Sequence, residues 1–206
     1  MTPRRQALQL GSACVCLLVL LTGCAAETAE ETPVASSTLS APTQQALGEL
    51  AVGAEMLPPL ARTSELLTYD DVVAQADLSD LGDALDSAGF EGGLKVEYRG
   101  ASRRISGVES QVLAFTSDAG ATHFSRYLAD HAGAFFGEPI TVAPIMLGDL
   151  KAWRFDPPVC DCAGAQPLSA GAVRVGSNVA VLQITGPQVD RLMMKTLLAR
   201  SVGARL

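Results

Sequence analysis

Residues 94–99 alternate apolar and charged side chains, Leu94, Val96 and Tyr98 against Lys95, Glu97 and Arg99. That period of two predicts a strand with one wet face. A short turn over 100–103 leads into the apolar-rich run 105–115, read as its more deeply buried hairpin partner. Upstream, Leu78, Leu81, Leu85 and Ala88 recur at helical spacing, with Asp77, Asp80, Asp83 and Asp86 mostly on the other side. Thr68 and Asp71 are placed to form a capping box before this helix, and Gly89 to end it. A weaker helical pattern over 47–60 stops at Pro58-Pro59. The glycine cluster from Gly89 to Gly93 reads as a helix-to-strand turn.

Downstream, Ser117-Asp118 opens a helix whose stripe is Phe124, Leu128, His131 and Phe135, closed by Gly137 and Pro139. Extended runs 140–147 and 150–155 flank a Gly148-Asp149 turn, and Pro144 marks the first run as an edge or bulged strand. After a Pro-, Cys- and Gly-rich loop over 156–171, runs 172–175 and 179–185 flank Gly176-Ser177-Asn178. Pro187 starts a last helix with Val189, Leu192, Met193, Leu197 and Ser201 as its inward stripe. The order is roughly α-β-β-α-β-β-β-β-α. Strands joined by short turns make an antiparallel sheet of about five to six strands, with helices layered on one face, an α+β domain.

The start of the chain has a different pattern. Arg4 and Arg5 precede an apolar run over 7–21, and Leu21-Thr22-Gly23-Cys24 follows. A positive end, a short apolar segment and small residues describe an export signal. The run is shorter than the roughly 20 residues a spanning helix requires. The tetrapeptide resembles the lipobox of bacterial lipoproteins. The resemblance implies cleavage before Cys24 and a diacylglyceryl group on its sulfur, with the palmitate-type acylation such anchors carry. Residues 1–23 are then a signal peptide, 24–45 a lipidated cysteine with a disordered acidic tether, and 46–206 a single α+β domain. The tether rests on composition, since Ala, Thr, Ser, Pro and Glu bury too little surface to offset chain entropy.

Charge narrows the function. The leader holds Arg4 and Arg5 and no acid, so the rest carries 13 Lys and Arg against 22 Asp and Glu, a net of −9. That balance, with few aromatic side chains, excludes nucleic acid as the expected partner. Eight of the acids lie between Glu65 and Glu91 with no base among them, read as a solvated flank because no calcium-loop spacing is present. The basic side chains of the last helix are read as suiting its dipole before any lipid contact.

Once Cys14 and Cys16 leave with the signal and Cys24 takes lipid, Cys160 and Cys162 remain. In an oxidising compartment they are expected to form a disulfide clipping their loop. A strained redox pair and a soft-metal site are the alternatives. The flanking Asp156 and Asp161 have the wrong sign to lower a thiol pKa, and no spacing brings further ligands to the pair. His131 reads as packed and His123 as exposed, while Trp153 and Phe155 read as core. No nucleophile elbow, phosphate loop or zinc-protease motif occurs, so no catalytic, cofactor-binding or metal residues are assigned.

Three segments carry a further resemblance: residues 112–115 running into 117–121, Lys151-Ala152-Trp153, and 174–180 before the terminal helix. Over residues 90–206 they resemble the small α+β domains of actinobacterial envelope lipoproteins and of kinase-associated extracellular sensor domains. The Cys160/Cys162 spacing is not a feature of that group, and no catalytic residue carries over. The resulting expectation is a non-enzymatic module, held at the extracytoplasmic face of the cell membrane through Cys24, that binds an envelope ligand or protein. The alternative is a thiol-disulfide or metal-handling protein using Cys160 and Cys162.

Overall fold

The computed structural model describes residues 39–100, 102–137, 139–157 and 168–204. Its strands are β1 (Ala61–Leu67), β2 (Phe90–Arg99), β3 (Gly107–Phe115), β4 (Thr141–Leu147), β5 (Leu150–Asp156), β6 (Leu168–Val175) and β7 (Asn178–Thr185). All pair antiparallel in one sheet, ordered β1-β2-β3-β7-β6-β5-β4. The helices are α1 (Ala41–Leu50), α2 (Tyr69–Val73), α3 (Leu81–Ala88), α4 (Asp118–Asp130), α5 (Ala132–Phe136) and α6 (Arg191–Ser201). The α+β class is as expected. With seven strands among the described residues, the sheet is larger than expected.

Helices cover both faces of the sheet, where the sequence reading placed them on one. The reason lies in the central strands. Val112 and Ala114 of β3, with Ala180, Leu182 and Ile184 of β7, pack against α1 and α6 around Leu47, Met194, Leu197 and Leu198. Their neighbours Leu113, Phe115, Val179 and Val181 point the other way, into a second core with Val72, Leu81, Leu85, Phe124 and Phe136 from α2 to α5. A strand apolar on both sides needs a cover on each. The unbroken runs Val112–Phe115 and Val179–Leu182 carry that requirement.

Local signals account for most element ends. Thr68 caps α2 as a reciprocal box with Asp71, and Ser117 caps α4 by accepting the Gly120 N–H at 3.0 Å. Asp190, three residues beyond Pro187, caps α6 through the Met193 N–H at 2.7 Å. Gly89 ends α3 at φ +70°, a left-handed conformation that glycine adopts freely. β2 then begins at once, so residues 90–93 of the glycine cluster are strand and not turn.

Four expectations shift. β1 was not anticipated, because six of its seven residues are exposed and only Leu67 is buried. The helical stretch after Thr68 splits into α2 and α3, and the one after Ser117 breaks at His131 into α4 and α5. The buried stripe of α6 is Met194, Leu197, Leu198 and Ser201, while Leu192 is 69% exposed. α1 begins at Ala41, within the stretch assigned to the tether. Pro144 sits on β4, the outermost strand, where a missing N–H leaves no neighbour unpaired.

Candidate binding site

On the face of the sheet that carries α2 to α5, the helical layer stops short of the β4–β5 edge. Between the flank of α4 and that edge runs a groove of about 840 Å³. Its floor follows from strand register. Pro144 pairs with Trp153 and Met146 with Lys151 across β4 and β5, so these four side chains share one face. Trp153 pairs in turn with Ala172 of β6, and Arg174 lies two residues further on, facing the same way. The opposite wall is α4, which contributes Thr122, Ser125 and Arg126. Trp153 is half-buried, with one side packed against the core. Met146, at 50% exposure, stands out into solvent.

The groove reverses the charge of the acidic chain. Arg126, Lys151 and Arg174 line it, with Asp149 as the one carboxylate among the described residues of its lining. Arg174 reaches Asp118 at 3.5 Å, a long contact to an exposed side chain, and donates to the Gly176 carbonyl at 2.9 Å. Among the described residues, neither Arg126 nor Lys151 makes an ion pair.

A second polar cluster lies where the same face of the sheet emerges beyond α2. Lys95 Nζ bonds Glu65 at 2.8 Å and Glu97 at 3.0 Å, Arg99 reaches Glu97 at 2.9 Å, and Gln111 donates to Glu109 at 2.7 Å. The hydrogen bond to Glu65, against a desolvation that acts the other way, holds the Lys95 ammonium above its usual range. The hydrogen bond from Lys95 holds Glu97 below the usual carboxylate range. Here every charge has a partner, and the adjoining cleft encloses only about 190 Å³. On the other face, a hollow of about 600 Å³ lies between the 102–105 loop and α6, with Leu192 and Met193 beside Arg103, Arg104 and Arg200.

The residues singled out from sequence fall as follows. Cys24, Cys160 and Cys162 lie outside the described residues. His123 is exposed, and His131 is half-buried at the α4–α5 break, stacked on Tyr127 at 4.2 Å with Nδ1 3.0 Å from the Tyr127 carbonyl. The Tyr127 hydroxyl donates to Asp80 at 2.8 Å; burial, then this bond, pushes its pKa up to about 12. Phe155 is fully buried, whereas Trp153, expected beside it in the core, forms the floor of the groove. Sequence reasoning missed the groove because its cations come from three separate segments. The alternation Lys151, Trp153 was the one local sign that a cation and an aromatic ring share a strand face. Among the described residues, no group of three or more His, Cys, Asp or Glu side chains is placed to hold a metal, and no helix is long and apolar enough to cross a membrane.

Neither a scan of protein-family models nor a comparison with curated proteins gives a match. Among solved structures, the fold is similar to the extracellular domain of PknH from Mycobacterium tuberculosis, with 11% sequence identity, 81% of this chain and 93% of that one covered, and a TM-score of 0.44.

Proposed function

We propose that this chain is a lipid-anchored protein of the extracytoplasmic face, and that its α+β domain is a non-enzymatic module holding an envelope ligand or protein partner in the groove beside α4. The anchor rests on Cys24 following Leu21-Thr22-Gly23 behind a short, positively charged leader. The binding role rests on one observation: Arg126 and Lys151, without ion-pair partners among the described residues, Arg174, held only by a long contact to Asp118, and a half-buried indole converge on an open groove, in a chain of opposite net charge. Surface cations are ordinarily neutralised or scattered, and a convergent set beside an aromatic floor suits recognition. In that compartment Cys160 and Cys162 would close a small disulfide ring that staples their loop.

The anchor is tested by Cys24→Ala. Buried acyl methylenes contribute about 0.8 kcal/mol each, and two chains hold where a single one binds only marginally. The variant should therefore leave the membrane fraction or stay unprocessed, while mass spectrometry of the native N-terminus finds a diacylated cysteine. A Cys24→Ala chain that is processed and still sediments with membranes overturns the anchor.

A further inference from the structure

From the same groove, and resting on the reading of it as a binding site, we infer the chemical class of its ligand: an amphiphilic anion, a phosphate or carboxylate joined to an apolar or planar body. Two halves of the lining carry this. Arg126 on α4 and Lys151 on β5 line the same groove with no ion-pair partner among the described residues, and Arg174 adds a third positive group. Its tie to Asp118 is long and solvated, with the carboxylate side chain 72% exposed, so a better anion can take it over. Guanidinium and ammonium groups disposed around one space suit an anion with several acceptor oxygens.

The second half is apolar. Trp153 lies against Pro144 on the adjacent strand, and Met146 follows two residues along the same face of β4. A pleated surface of ring, pyrrolidine and thioether accepts a flat or aliphatic body far better than a hydrated ion. Cations on the rim and an aromatic floor together describe a ligand with a charged head and an apolar remainder. The acidity of the surrounding domain discriminates further: an anion is repelled by the net charge of the chain as a whole and attracted by the cations gathered in this groove, which makes binding sensitive to salt.

Trp153 is the sole tryptophan of the chain, so its fluorescence reports on the groove without a label. The full chain, placed in phosphatidylcholine vesicles when it carries its lipid, is titrated with phenyl phosphate, inorganic phosphate and benzyl alcohol. Phenyl phosphate should shift the emission saturably, and the other two should need at least about tenfold higher concentration, each lacking one half of the recognition. Arg126→Gln or Lys151→Gln should weaken phenyl phosphate about tenfold, the loss expected for one charge-assisted hydrogen bond, while Arg103→Gln on the opposite face leaves it unchanged. Circular dichroism establishes that each variant is folded. Benzyl alcohol binding as well as phenyl phosphate overturns the anionic class but leaves the groove as a binding site. Inorganic phosphate binding equally well overturns the apolar half. No response to any of the three overturns both the ligand class and the groove.

Discussion

At the scale of single residues, Lys95 sets how the polar end of the sheet responds to pH. It bridges Glu65 and Glu97; with the Lys95 side chain 21% and that of Glu97 17% exposed, water screens their bond only in part, while the bond to Glu65, 60% exposed, is screened more fully. Glu97 is held below its unfolded pKa; its contribution is complete above the ordinary glutamate range near 4.3 and is lost as pH falls through the lower folded value. Lys95 is held above its unfolded pKa, so its contribution is complete below about 10.4 and is lost as pH rises through the folded value. The pair therefore stabilises evenly across neutral pH. Glu97→Gln should lower unfolding stability at pH 7 by about 1.5 kcal/mol, the low end for hydrogen bonds to charged groups, and shrink the further loss on going to about pH 3. Urea unfolding at both pH values measures this; an unchanged acid limb would count against the linkage. The alternation over 94–99 already marked these charges as one face of a strand. That Lys95 would be half-buried was not legible, because Glu65 comes from β1, whose residues give no apolar period.

Among elements, α3 and α4 come close together at Gly120. A Cβ on Gly120 would run into the carbonyl oxygen of Ala88, the last residue of α3. The glycine thus lets the Ser117 cap begin its helix directly against the end of another. Gly120→Ala should cost about 1–3 kcal/mol, as overpacking of a filled interior does, and lower the melting temperature by roughly 2–4 °C per kcal/mol. A thermal melt unaffected by this substitution would mean that the two helices slide apart freely. Caps and turns were the most legible features at this level: Thr68 with Asp71, Ser117, Gly89 and the Gly148 and Gly176 turns all act where local chemistry placed them. Elements fixed by tertiary contact were not. In α6 the apolar residues Leu192, Met193, Met194, Leu197 and Leu198 admit two neighbouring stripes, and only packing on Gly171 of β6 and its neighbours selects the one through Met194.

Across the whole molecule, one sheet separates two cores that share no side chains, so β3 and β7 are clamped between helices on both faces. β1 is held by β2 along one edge and has six exposed residues. Amide hydrogen exchange should be fastest in β1 and slowest in β3 and β7, since local opening follows the apolar contact each strand makes. Equal protection of β1 and β3, read by mass spectrometry of peptides, would contradict this ordering. The groove belongs to this scale as well, because α4, β5 and β6 meet only in the finished fold. Its cations are spread over 126–174, and the alternation of Lys151 with Trp153 was their one local trace in the sequence. Among the described residues β1 has a strand on one side only, which bears on how copies of the chain meet. Arg62 and Glu65 point to opposite sides of that strand, and such charges obstruct a second sheet from continuing the ladder. Neutralising both would invite neighbouring copies to join rim to rim into long ribbons.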